Sequence, residues 1–376
     1  MKAPSFCPEN AYFKYLTQTL VWATLTSAYA QRSPKGGRTM RTVGFIVLIS
    51  LFLLGGCATM APSGKMYTLK GSPQTAHTGF FDATIPPVLT VNSGDTVTLS
   101  TMWLMDGQLR CGMTLEELIA KRQTYIDRKM GPHTLTGPIF VSGAEPGDVL
   151  EVRIQKLIPA SCGVNYHFPA KMNIGGLPED FPDGQFKTLQ LDVQKMETTF
   201  APGIVIPLKP FLGVMGVAPK PGEKRPAAVP EYFGANMDLK ELVAGTTLYL
   251  PVSAKGALFS TGDAHAGQGD GEVNVTAVET AMEEAVLQFV VRKDLKLERP
   301  MAETPTHWIA MGFHKDLNEA VKIALRDAIQ FISKTKGLTP DDAYSLSSMA
   351  VDLRVTQIVD GNKGIHAMIP KAIFKK

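Results

Sequence analysis

Glycine and proline interrupt this chain too often for it to be built from long helices. The 376 residues include 34 glycines and 26 prolines, whereas charged residues make up 19%. Glycine accepts turn conformations, and proline fixes φ and removes a backbone donor, so both end regular elements. This balance favours many short strands joined by turns. The apolar content is ample for a core in one large or two modest domains. The net charge is +3 without a long basic run, which leaves no electrostatic footprint for nucleic acid.

The N-terminal region reads as an address. Met40 to Cys57 is MRTVGFIVLISLFLLGGC, with Arg41 as a short positive region and an apolar core from Val43 to Leu54. That core suits a signal peptide and is short for a bilayer span. Leu54-Gly55-Gly56-Cys57 resembles a bacterial lipobox, which implies cleavage before Cys57 and its lipidation. Ala58 rather than Asp follows, so the expected location is the cell envelope, at the outer membrane or periplasm. An ordinary signal peptide or anchor is the alternative. Residues 1–39 read as an upstream extension, 58–71 as a tether, and 72–376 as the folded domain. Cys111 and Cys162 remain for one disulfide outside the cytoplasm, or for two free thiols.

Along the domain, Val88–Val91 and Thr96–Met102 are β-rich and joined by Asn92-Ser93-Gly94-Asp95, a hairpin signal. Asp106 ends a strand just before Gly107. Met113 to Met130 is helical, with Leu115, Leu118, Ile119, Arg122 and Ile126 on one side and a capping box at Thr114 and Glu117. His133 lies in a rigid Gly/Pro loop, suited to a ligand or an acid/base group and also to an ordinary surface histidine. Asp148 closes a turn between strands, with Val149 to Ile154 as the second strand, and reads as structural; Glu145 in the same turn is less easily dismissed. Residues 160–200 read as irregular. Asn236 and Asp238 alternate, so both are candidates to face a site. Val273–Val278 and Ala285–Arg292 read as strands. Asn318 to Lys336 reads as an amphipathic helix stopped by Gly337, then comes a helix capped at Thr339-Pro340, and Val351–Val359 is a closing strand.

The densest chemistry lies in Leu258 to Glu279, LFSTGDAHAGQGDGEVNVTAVE. Asp263, His265, Asp270, Glu272 and Glu279 stand among glycines there. Carboxylates and an imidazole ligate hard or borderline divalent metals and also move protons. On an extended segment Asp263 and His265 point to the same side. A polar Gly-rich hairpin whose acids satisfy turn amides is the equally simple alternative.

GPIFVSGAEPGDVLEVRI, PFLGVMGVAP, FGANMD, TTLYLPV and LFSTGDAHAGQGDGEVNVTAVE, in this order, resemble the acetamidase/formamidase family. The resemblance runs from about Val88 to Val359. It implies a mainly β fold with α/β additions: a β-sandwich core and a smaller helix-containing C-terminal part. It also implies hydrolysis of short aliphatic amides with a bound divalent metal, zinc first and calcium second. Asp106, His133, Asp263 and His265 match the family's blocks and are the expected metal ligands. Asn236, Asp238 and Glu279 match too. A lipoprotein signal departs from the family's mostly cytoplasmic habit.

The expected activity is therefore a metal-dependent amidohydrolase acting on a small amide, with the lipidated Cys57 at a membrane. Glu145 first and Glu279 second are the candidates to shuttle the proton, and Asn236 and Asp238 orient the substrate or the ligands. A non-catalytic envelope lipoprotein that binds a small ligand is the alternative, and a structural envelope protein the third reading. The resemblance also admits a homodimer, which no feature of the sequence itself indicates.

Overall fold

The computed structural model describes residues 64–375. The extension at 1–39, the signal peptide at 40–57 and the lipidation site at Cys57 lie outside the described residues, as do residues 58–63 of the expected tether. The tether does not reach Gly71. Met66–Leu69 is already a strand, paired in parallel with Thr96–Leu99 and burying Leu69.

Two sheets organise the rest. The 9-stranded sheet runs Met66–Leu69, Thr96–Leu99, Met282–Arg292, Val149–Pro159, Thr246–Pro251, Met301–Glu303, His307–His314, Lys363–Pro370, Asp352–Gln357. The 11-stranded sheet runs Ile204–Pro207, Glu197–Ala201, Gln185–Asp192, Cys162–His167, Glu279–Thr280, Phe259–His265, Phe211–Gly216, Gly234–Asn236. Thr134–Ser142 also pairs with Phe259–His265 and carries Ala76–Thr78 and Leu89–Asn92. One apolar core draws on both sheets: Val152, Leu248, Leu287 and Phe289 from the first, Leu135, Ile139, Leu212, Val214 and Phe259 from the second. The fold is mainly β, as the residue pattern and the family resemblance imply.

The C-terminal helices behave as their sequences dictate. Leu317–Lys336 starts on the Asp316 carboxylate, which accepts from Asn318 and Glu319 N–H, and ends at Gly337 with φ 68°. Pro340–Ala350 starts on Thr339. Ala320, Ala324, Ala328 and Ile332 form the buried stripe, with Val321 and Ile329 at its margin. The contact is close enough to demand glycine on the strand beneath. A Cβ at Gly312 would lie 2.3 Å from the Ala320 carbonyl oxygen and 2.5 Å from Ala324 N.

Several local readings change. Val88–Val91 and Thr96–Met102 do not form a hairpin. Leu89–Asn92 pairs with Thr134–Ser142 in one sheet, and Thr96–Leu99 with Met282–Arg292 in the other. The Asn92–Asp95 turn is real, but it hands the chain between layers, and Asp95 accepts from Asn92 and Lys65 N–H, each at 2.7 Å. Asp106 is not on a strand; it lies in a short helical turn, with Met105 and Asp106 both left-handed at φ 57° and 55°. Residues 160–200 contain three strands, Cys162–His167, Gln185–Asp192 and Glu197–Ala201. Their glycines and prolines cluster between strands, in 168–184, rather than through them. Val273–Val278 forms no strand, because Val275 is left-handed at φ 81°. The helix is Leu115–Asp127 with the capping box formed, but Tyr125 is buried where Ile126 was expected, and Ile126 is 48% exposed. The closing strand is followed by another, Lys363–Pro370.

Two stability predictions follow from this packing. Gly312→Ala forces the helix off the strand and lowers the unfolding free energy by about 1–3 kcal/mol in a urea titration; an unchanged midpoint would refute the close contact. The second concerns His77, whose Nε2 lies 3.0 Å from Ser260 Oγ and whose pKa burial lowers from 6.5 to about 4. The unfolded chain protonates first, so stability held above pH 6.5 declines as pH falls through about 4, at up to about 1.4 kcal/mol per pH unit. His77→Gln should lose less stability than wild type between pH 7 and pH 5; parallel losses would show that His77 is not the group responsible.

Candidate active site

The Phe259–His265 strand is buried throughout, yet it carries Asp263 and His265. Buried charge needs a partner or a ligand. The neighbouring strands supply further polar groups. Glu279 is the register partner of His265, His133 enters the Thr134–Ser142 strand, and Asn236 ends the Gly234–Asn236 strand, two residues before Asp238. Loops add Glu272 and Asp360. Asp238, Asp263 and Glu272 take left-handed backbone at φ 49°, 52° and 46°, a conformation that costs roughly 1–2 kcal/mol in a non-glycine residue. Asp tolerates it best, and strain of this kind concentrates at functional sites.

The ligating atoms converge. His265 Nε2 lies 3.3 Å from Glu279 Oε1 and 3.6 Å from Asp263 Oδ2, and His265 Nδ1 lies 3.7 Å from Asp238 Oδ1. His133 Nε2 lies 3.6 Å from Asp263 Oδ2. Asp238, Asp263 and His265 hold one ligating atom each within 4.8 Å of one another, as do His265, Glu272 and Glu279, and Asp238, Glu272 and Asp360. Most of these separations are too long for good hydrogen bonds. They match the roughly 3.3–3.6 Å between two donors that share one tetrahedral cation at ~2.0–2.2 Å. Both Asp238 oxygens, Asn236 Oδ1, Glu272 Oε2, Asp360 Oδ2, His133 Nδ1 and His265 Nδ1 are buried with no hydrogen-bond partner. Buried polar atoms are seldom left so. A mixed oxygen and imidazole set with this many unpartnered atoms fits a divalent cation.

Electrostatics point the same way. Burial pushes Glu272 and Asp360 well above the carboxylate range, and the Asp238 charge adds to both. Burial also raises Asp238, and it pushes Glu279 up to about 7 against the pull of His265. For Asp263 burial acts upward, but His265 and His133 together outweigh it and hold the group low. Burial acts against protonated His265, yet Glu279 and Asp263 hold it well above its usual value; in His133 burial prevails and the pKa falls. The cluster cannot ionise fully by itself, and added positive charge would relieve it.

Gly213 makes room for this arrangement. A Cβ there would lie 2.5 Å from Asp238 Oδ1 and 2.9 Å from His265 Cε1. Phe211, on the same strand, packs edge-on against the His265 ring at 4.9 Å. Glu279 Oε1 is fixed by the Ala277 N–H at 2.9 Å. Above the cluster is a cavity of about 410 Å³. Leu104, Phe168, Ile174, Val229, Val275 and Ile358 give it an apolar wall, and His133, Asn236, Asp263, Glu272, Glu279 and Asp360 a polar one. A larger cleft of about 940 Å³ lies elsewhere, but most of its charges are already paired: Arg354 with Glu241 at 2.7 Å, and Lys240 with Asp270 at 3.0 Å. The grouping of Glu241, Asp270 and His366 beside it is neutralised by those same cations.

His133, Asn236, Asp238, Asp263, His265 and Glu279 are therefore brought together. Asp106 is not. Its left-handed turn delivers the carboxylate to the hydroxyls of Thr78 and Tyr125, the latter at 2.6 Å, and it joins none of the ligating groups among the described residues. Glu145 is not either: it is exposed in the turn where Asp148 accepts its N–H at 3.0 Å and pairs with Lys293 at 2.6 Å. Sequence reasoning assigned no role to Glu272 and overlooked Gly213 and Asp360. An Asp-Gly turn before the last strand was the one available sign of Asp360.

The model of the Acetamidase/Formamidase family matches residues 69–224 and 222–376. The chain belongs to the acetamidase/formamidase family. It is 27% identical over 248 residues to an acetamidase of Mycolicibacterium smegmatis, covering 50% of this chain and 59% of that protein. The chain thus spans less than two thirds of that relative's length. It is 27% identical over 368 residues to a formamidase of Methylophilus methylotrophus, covering 77% and 88%. The solved acetamidase of Bacillus halodurans superposes with a TM-score of 0.73 at 30% identity, covering 82% of this chain and 98% of that one.

The Gly213 contact can be tested without any assumption about chemistry. Gly213→Ala should lower the unfolding free energy by about 1–3 kcal/mol. Combined with Asp238→Ala, which removes the nearest atom, the loss should be smaller than the sum of the two single losses. Strict additivity in urea titrations would show that the two positions do not touch.

Proposed function

We propose that this protein hydrolyses short aliphatic carboxamides to the carboxylic acid and ammonia. A divalent cation resident at the cluster completes the reading, zinc first because an imidazole is among the donors, calcium second. The observation that carries it is the set of unpartnered buried oxygens and imidazole nitrogens under a small cavity with one apolar wall. The names of the relatives, acetamidase and formamidase, support it.

Asp238, Asp263 and His265 would hold the cation, with His133 and Asn236 beside them. Bound there, it would supply Lewis acidity toward the amide carbonyl and acidify water. The chain's own groups do the rest. Asn236 Oδ1, otherwise unpartnered, accepts from the substrate N–H. The apolar wall holds the acyl chain and excludes bulk water. Glu279, held by the Ala277 N–H and 3.3 Å from His265 Nε2, takes a proton as the water oxygen bonds to the carbonyl carbon. It returns that proton to nitrogen as the C–N bond breaks, leaving acid and ammonia. We take its location to be the cell envelope on the lipobox-like Leu54-Gly55-Gly56-Cys57, and the Cys111–Cys162 disulfide supports that.

Ammonia release from a panel of short amides tests this. Release should vanish on chelation and return with zinc. His265→Ala, at a matched protein concentration and with its metal content measured, should lower kcat by at least ~100-fold while the circular dichroism spectrum is retained. Wild-type turnover by that variant, or turnover indifferent to chelation, would refute the assignment. A folded, metal-loaded protein that releases no ammonia from any amide would leave a binding lipoprotein as the reading.

A further inference from the structure

One cation in the cavity has no partner. Arg153, Arg225, Arg292, Arg299 and Arg354 each hold a carboxylate. Arg122 lines the cavity, yet among the described residues it takes part in no ion pair and no side-chain hydrogen bond, and its Nε is buried and unsatisfied. Arg128 and Arg326 also lack a carboxylate, but both are exposed. Arg122 as a whole is half-buried, but a buried N–H such as its Nε is seldom left without a partner, because it loses hydration and gains nothing.

Arg122 is also held in place. Its guanidinium stands over the Phe168 ring, 4.7 Å from the centroid, which supports it, and the residue lines the cavity. The helix that carries it, Leu115–Asp127, is fixed at its start by the Thr114–Glu117 capping box. Just upstream, the Cys111–Cys162 disulfide ties the chain to the strand that leads to Tyr166 and Phe168. Leu118 and Tyr125 pack against Tyr166 and Phe168 in one apolar cluster. A planar fork of donors on a rigid mount suits bidentate capture of a carboxylate. The cavity, at about 410 Å³, is also in the range of pockets that take ligands well beyond a one- or two-carbon amide.

We propose that Arg122 binds a carboxylate carried by the substrate, so that the preferred substrate is the monoamide of a short dicarboxylic acid. The amide end meets the carboxylate and histidine cluster, and the acid end meets Arg122. This rests on the amidase reading and sharpens its substrate class. A second source of carboxylate is the acid formed from any amide, and it makes a different prediction: loss of Arg122 would then affect neutral and anionic amides alike.

The monoamide of succinic acid and butyramide have the same chain length and differ in a terminal carboxylate, so they form the test pair. With metal-loaded wild type, kcat/KM should favour the monoamide by at least tenfold. In Arg122→Gln the ratio of the two kcat/KM values should fall by roughly 10- to 150-fold, the loss expected for charge-assisted hydrogen bonds. Arg122→Lys should restore part of it, and Arg122→Met, which keeps the stem against Phe168, should not. A wild-type preference for butyramide, or a ratio unchanged in Arg122→Gln, overturns the proposal and leaves the amidase reading standing. Calorimetric titration with succinate needs no turnover. Wild type should bind it and Arg122→Gln should not; wild type that fails to bind succinate overturns the proposal whether or not amides are cleaved.

Discussion

Four buried carboxylates and a half-buried fifth around two imidazoles are the constraint on which the rest of this molecule depends. Asp238, Asp263, Glu272, Glu279 and Asp360 cannot all be charged in an apolar interior, and two histidines do not balance them. The two sheets hold them together nonetheless. Phe259–His265 is locked between Phe211–Gly216 on one side and Thr134–Ser142 with Glu279–Thr280 on the other. Neither neighbour can slip by one residue without turning its buried face outward. The interior of the β fold is what keeps like charges within reach of each other.

Close backbone approach is the means. Gly213 leaves the volume that Asp238 and His265 occupy, and Gly262 lies where a Cβ would meet the Thr134 carbonyl oxygen at 2.2 Å. Left-handed Asp238, Asp263 and Glu272 then turn their carboxylates toward the cluster. Local strain and charge repulsion are both offset by the large shared core of the two sheets. A cation at the cluster would relieve the second directly, which is why the same feature weakens the fold and equips the site.

The cavity wall has a separate origin. The helix Leu115–Asp127, its disulfide to Cys162 and the apolar cluster around Tyr125, Tyr166 and Phe168 form a small second core beside the main one. It brings a supported arginine to a site whose metal-type ligands come from distant strands. The C-terminal helices, resting on Gly312 and an alanine stripe, complete the first sheet, and its following turn returns Asp360 to the cluster.

What the sequence alone determined was local. The Gly/Pro punctuation and alternating strands established a mainly β chain, the caps at Thr114 and Thr339 set helix starts, and the Asp263-x-His265 spacing marked the centre of the site. Those signals act over a few residues, through φ/ψ preference and side-chain period, so they survive in one dimension. The tertiary structure decided everything that needs two distant segments to meet. It tied Asp106 to hydroxyls, left Glu145 in solvent, separated the apparent hairpin at Asn92–Asp95 into two sheets, and recruited Glu272, Asp360, Gly213 and Arg122. Most of these depend on which segments meet and how closely they approach, and contacts between segments apart in the chain leave no periodic trace in it.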